Sequence, residues 1–239
     1  MSTQSGKGLS TMKRMRTATR SGFTLLEAAI TLSIVTVGVL AMMDAQSAFV
    51  RANLWSNHSA TGGYLADELR EMTVGLPKHD PTLGFPSSGS FGPEPFETTI
   101  DDFDDLDDFD GLVFGDGGDF PGPVDAFGRV IPEIDVNGVI VTDETTGAEL
   151  PASGWTQEIM VTKVEPFDSG TVLDDDFFRI GSASSGTASG NYEIGLPGTM
   201  TPPMAIDEFP LRVEVRVTYT PEGASAAVLD DIATSWIVP

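Results

Sequence analysis

Hydrophobic and polar positions divide the chain into an apolar stretch, an amphipathic stretch and a long remainder of short, turn-rich patterns. From Phe23 to Met43 lie 21 residues of which only Glu27 is charged, about the ~20 residues that a helix needs to cross the hydrocarbon core of a bilayer. Polar residues then enter: Asp44, Gln46, Arg51, Asn53 and Asn57 alternate with Ala45, Ala48, Phe49, Ala52 and Leu54 at helical spacing. Tyr64, Leu65, Leu69 and Met72 recur at the same interval among Asp67, Glu68, Arg70 and Glu71, so the helix is expected to continue with one face turned to a core. Gly75 and Pro77 supply a stop signal. Unbroken from Phe23 to Val74 the helix has 52 residues, about 78 Å at 1.5 Å per residue; the alternative is a break or hinge at Gly62-Gly63.

The remainder changes period. Residues 77–95 are rich in Gly, Pro and Ser and read as a connecting loop. Strands are expected at Val136–Val141 and at Trp155–Val164, where Ile159, Val161 and Lys163 alternate with Met160, Thr162 and Val164. Ser182–Gly190 reads as a Ser/Gly loop. Leu211–Tyr219 alternates strictly, and its Leu, Val and Tyr face is expected to lie on the helix near Tyr64. Pro221-Glu222-Gly223 turns the chain, and Ile232–Val238 returns antiparallel to that strand. The expected fold is α+β: a long N-terminal helix, transmembrane in its first half and amphipathic in its second, packed on an antiparallel sheet in a loop-rich head. The expected divisions are a leader at 1–22, the helix at 23–76 with its membrane span at about 23–43, and an acidic head at 77–239.

Charge sets an orientation. Residues 1–22 hold Lys7, Lys13, Arg14, Arg16 and Arg20 and no acid, whereas the chain after them holds eight basic residues and all 36 acids. By the positive-inside rule the basic end stays in the cytoplasm and the acidic body crosses to the far side. A net charge of −23 argues against nucleic acid, whose phosphates need Lys and Arg. With no Cys in the chain, stability has to come from packing and from any bound metal.

Glu27 needs a reason, because a carboxylate inside an apolar helix costs about 2.5 kcal/mol or more at the bilayer centre and less near an interface. The string Gly22-Phe23-Thr24-Leu25-Leu26-Glu27 resembles the class III signal of type IV pilins and of the pseudopilins of type II secretion systems. The resemblance implies cleavage between Gly22 and Phe23 by a membrane-embedded prepilin peptidase, methylation of the new N-terminal Phe23, and a role for Glu27 in setting axial register against the free amine of a neighbouring subunit. Gly38-Val39-Leu40-Ala41 and Gln46 extend the likeness to V-type minor pilins and I-type minor pseudopilins, over about Ser21 to Phe49. It implies a single-pass inner-membrane subunit with its head in the periplasm that later enters a pilus or pseudopilus. Its partners would be other pilin or pseudopilin subunits and the inner-membrane assembly platform. Two other readings of the same apolar run stay open: a secretory signal peptide cut at Ala45-Gln46-Ser47, and a plain membrane anchor. Under either, the chain is an acidic binding domain, secreted or membrane-anchored, outside any filament.

Within Asp101–Asp110, Phe103, Leu106 and Phe109 fall every third residue, so an apolar edge can seat a helical or 3₁₀ turn while seven Asp crowd its remaining surface. Such repulsion is relieved either by solvation or by Ca²⁺, which takes six to eight oxygen ligands; Asp104, Asp105, Asp107, Asp108 and Asp110 are the candidate ligands. The order is not that of an EF-hand, because Asp-x-Asp-x-Asp-Gly fails at Phe109. The string is similar to an Asp-rich segment of MSHA-type minor pilins. Asp116, Asp119 and Asp174-Asp175-Asp176 read as solvated loop acids, and His58 and His79, the chain's two histidines, as exposed. No nucleophile elbow, Walker A or dinucleotide-binding string occurs, so the expectation is a structural subunit and not an enzyme.

Overall fold

The computed structural model describes residues 24–80, 84, 90–115, 117–180, 192–194, 203–221, 223–224 and 229–239. The chain divides into one unit ending at Arg51 and a second spanning Ala52–Pro239. Helix α1 runs Leu25–Thr73 and includes Gly62 and Gly63 without interruption, so the hinge alternative is not what forms. Thr24 caps it, its Oγ1 accepting the Glu27 amide at 3.2 Å, as the spacing of a Thr three residues before a Glu favours. Sequence reading had not given Thr24 that role.

In the first unit every described residue is exposed, Leu25, Leu26, Leu32, Ile34, Val37 and Leu40 among them. This is a helix long and apolar enough to cross a membrane. An α-helix satisfies its backbone internally, so lipid can surround it at no hydrogen-bonding cost.

The second unit is a helix on a sheet. On α1 the buried residues are Gly62, Leu65, Ala66, Leu69 and Thr73, spaced three and four apart as one helical stripe requires. Strands β1 (Val113–Gly115), β2 (Trp155–Glu165), β6 (Leu211–Tyr219) and β7 (Leu229–Val238) pair antiparallel in the order β1-β2-β6-β7, and β3 (Asp168–Val172) folds back on the end of β2. Strands β4 (Phe178–Ile180) and β5 (Tyr192–Ile194) form a separate parallel pair. On the inner face Ile159 lies opposite Val215 and Val161 opposite Val213, while Glu158 and Arg216 face each other on the outside. Leu65, Ala66 and Leu69 share one core with Ile159, Val161, Leu211, Val213, Val215 and Val217. The expected hairpin of the last two long strands and the expected seat of the alternating face both form.

The region from Pro123 to Ala152 departs from expectation. No strand forms at Val136–Val141; isolated bridges join Val124 to Val130, Ile134 to Ile140, Thr142 to Glu149 and Pro132 to Pro151. Between them the chain turns on Asp side chains. Asp125 Oδ1 accepts the Phe127 and Arg129 amides, Asp135 Oδ1 those of Asn137 and Val139, and Asp143 Oδ1 those of Thr145 and Thr146. Each turn closes on a glycine at positive φ, Gly128, Gly138 and Gly147. Asp135 thus closes a tight turn over residues that β-propensity alone would extend. The Ser182–Gly190 loop lies outside the described residues.

Candidate functional site

Gly22 and Phe23 lie outside the described residues. Glu27 sits in the first turn of α1, where the helix dipole favours a carboxylate.

The acidic string folds into the candidate site of the second unit. Leu106 and Phe109 are buried and Phe103 packs against the same core, with Phe103 and Phe109 edge to face at 5.4 Å. That apolar edge drives residues 107–109 into a 3₁₀ turn. It also buries Asp105, Asp107 and Asp108, which the solvated reading of these acids does not accommodate. Burial in place of water demands donors, and the turn supplies them from its own backbone. Asp105 Oδ1 accepts the amides of Asp107 and Asp108 at 3.0 and 3.2 Å. Asp108 Oδ2 accepts those of Asp104 and Asp105 at 3.0 and 3.3 Å.

Two of the five candidate ligands are turned to other work. Asp107 Oδ1 lies 3.0 Å from His79 Nδ1, so His79 is buried instead of exposed. Burial lowers its pKa to about 4, which leaves a neutral ring that donates its Nδ1 proton to the Asp107 carboxylate. Asp110 Oδ1 accepts the Val161 amide at 2.8 Å and ties the turn to β2. His58 is half-buried, its ring 4.2 Å from that of Tyr219 and 5.9 Å from that of Trp155. Asp119 Oδ2 accepts the Val113 amide and Asp175 Oδ2 that of Phe91, so these loop acids are also engaged.

Asp104, Asp105 and Asp108 do come together, each offering an oxygen within 4.8 Å of the others. Asp108 belongs equally to a second trio with Glu94 and Glu97, two residues that sequence reading missed. Their signal was the i, i+3 spacing of a turn, which forms: Glu97 N donates to Glu94 O at 2.9 Å and Glu94 N to Glu97 Oε2 at 3.1 Å. Burial pushes Asp105 up to about 8 and raises Asp108, while the adjoining Glu97 carboxyl raises Glu94. The arrangement is a set of hard oxygen donors, suited to a hard cation such as Ca²⁺ and unsuited to a soft metal.

A further buried charge was not foreseen. Lys163 lies on the inner face of β2, fully buried, where it donates to the carbonyls of Asp175 and Phe177 and sits over the rings of Phe91 and Phe209. Strand alternation placed it on the inner face; its acceptors come from a loop that follows twelve residues later in the chain. No protein-family model matches the chain, and comparison with curated proteins and with solved structures gives no match.

Proposed function

We propose that the chain is a prepilin-like structural subunit, of the minor type, of a type IV pilus or a type II secretion pseudopilus. It is inserted in the inner membrane through the first half of α1 with its head in the periplasm. A prepilin peptidase processes it between Gly22 and Phe23, and the assembly platform draws it into a filament. Glu27 sets register against the amine of Phe23 on a neighbouring subunit, a charge pair that makes the carboxylate tolerable among packed helices.

The observation that carries the reading is that the sequence string ending at Glu27 leads into one continuous helix, Leu25–Thr73. That helix exposes every residue from Thr24 to Asn57 and then buries a stripe against an antiparallel sheet. An apolar surface of that length needs lipid or sister helices to cover it.

The test is the N-terminal residue and mass of the protein isolated from its own membrane fraction. A start at Phe23 with one added methyl group is the expected result. A start at Ala48 would instead make it an exported acidic domain, and an intact Met1 a plain anchor. Glu27→Val should abolish incorporation into filaments while the head stays folded; normal incorporation would remove the register role.

A further inference from the structure

The pairing of carboxylate oxygens around Asp108 is incomplete in a specific way. Asp108 is 1% exposed. Its Oδ2 is held by two backbone amides, but its Oδ1 is buried with no hydrogen-bond partner among the described residues. In the same trio Glu94 Oε2 is buried without a partner as well. A carboxylate oxygen shut away from water and left without a donor is costly. Here two of them belong to a group whose third member, Glu97, is also an acid. Among the described residues no Lys, Arg or His hydrogen-bonds to or ion-pairs with this trio. What is missing is a donor to these oxygens, which a proton shared with the neighbouring Glu97 carboxyl or a bound cation would supply.

We propose that Asp108, Glu94 and Glu97 hold a Ca²⁺ ion, with the exposed Asp104 and the buried Asp105 completing the oxygen shell from the other side of Asp108. The oxygens within each trio lie no more than 4.8 Å apart, compatible with the ~4.6–5.2 Å between opposite ligands of an ion bound at about 2.3–2.6 Å. Mg²⁺, at about 2.0–2.1 Å, demands a tighter octahedron and gives up its water reluctantly. The ligands come from two segments, the Glu94–Glu97 turn and the 3₁₀ turn, so the ion would staple one to the other. Asp104, exposed at the rim, gives the ion an entry. The backbone amides that fix Asp105 and Asp108 hold the shell in place before the ion arrives, which lowers the cost of binding. This assignment does not depend on the filament reading.

The experiment uses the full chain in detergent micelles, stripped with chelator and titrated calorimetrically with CaCl₂, with thermal melts run alongside. The expected result is a single Ca²⁺ per chain and a melting temperature that rises with Ca²⁺ and falls back with EGTA, since a ligand of the folded state stabilises it. Glu97→Gln and Asp108→Asn should each weaken binding about tenfold or more, because affinity follows the ligand charge. Asp101→Asn, an exposed acid of the same string outside both trios, should leave binding unchanged. Glu97 is half-buried and carries the test if Asp108→Asn fails to fold. No heat and no melting shift up to about 5 mM Ca²⁺, beyond the range of weak extracellular sites, would overturn the proposal. So would an equal loss in Asp101→Asn, which would mean diffuse attraction to an acidic surface.

Discussion

Gln157→Leu removes the polar side chain that holds α1, the following loop and β2 together. Gln157 is fully buried. Its Nε2 donates to Leu65 O at 2.8 Å and Val124 O at 3.2 Å, and its Oε1 accepts the Val124 amide at 2.7 Å. Leucine fills similar space but offers no partner. Leu65 O still accepts a bond within the helix, so its loss is small. The Val124 N–H has no other acceptor among the described residues, and a buried donor left unmade costs about 1–3 kcal/mol. The remaining bonds add about 1 kcal/mol, and the more favourable burial of an apolar side chain returns about as much. The net loss is therefore about 1–3 kcal/mol, or about 2–12 °C in melting temperature at 2–4 °C per kcal/mol for a unit of this size. The assay is a thermal melt of the full chain in micelles, read by near-ultraviolet circular dichroism, to which Trp155 and Trp236, both packed on the core, contribute. An unchanged or raised midpoint would refute the assignment of Gln157 as the clamp between helix and sheet.

Two further outcomes follow from the same packing. Gly63 lies in helical backbone, and a Cβ there meets nothing within 4 Å, so Gly63→Ala should stabilise the unit by about 0.5–1 kcal/mol, seen as a small rise in denaturation midpoint. Burial lowers the Lys163 pKa to about 8 from its ordinary 10.5, although Asp175, Asp176, Asp207 and Asp107 oppose the shift. Between those values the unfolded chain binds the proton more tightly, so stability should climb with pH from about 8 to 9.5, by at most about 1.4 kcal/mol per pH unit. That range lies below the ordinary pKa of Tyr64, which Glu68 raises further. Lys163→Met should flatten the climb in denaturant melts; a slope unchanged by the substitution would place its origin elsewhere.

The sequence was most legible where a period persists. Twelve residues of helix from Gly62 to Thr73, and nine of strict alternation from Leu211, leave one arrangement that buries both apolar faces, and that arrangement forms. Legibility failed where a side chain's partner is distant in sequence. His79 reads as exposed until Asp107, 28 positions on, is brought beside it, and the sequence places Lys163 on the strand face of Ile159 and Val161 without showing the loop carbonyls that let its amine stay there. It failed too where local chemistry overrode propensity, as at Val136, which sits in the turn that Asp135 closes. For the candidate site the Asp string pointed to the right segment. Period alone could not tell that Asp107 and Asp110 face away, toward His79 and Val161, nor that Glu94 and Glu97 arrive from a separate turn.

The position of the acidic turn makes its state matter to the whole second unit. Leu106 donates its amide to Pro77 O at 2.9 Å, and Asp107 holds His79, so the turn grips the segment that leaves the end of α1. On its other side Asp110 accepts from Val161 and Gly111 donates to Ile159 O at 3.0 Å, which fixes it to β2. The same few residues therefore join helix end to sheet. Clustered carboxylates in that joint repel each other when ionised and uncompensated, and the strain falls on the bonds just named. A cation between Asp108 and the Glu94–Glu97 turn would relieve the repulsion without breaking any of them, because Asp108 Oδ1 and Glu94 Oε2, the oxygens that would meet it, take part in none of these bonds. Calcium should then raise protection of the Ile159 and Val161 amides against hydrogen exchange along with the turn itself. Protection confined to residues 94–108 would mean that the site is a local staple and that helix and sheet are joined by their apolar core alone.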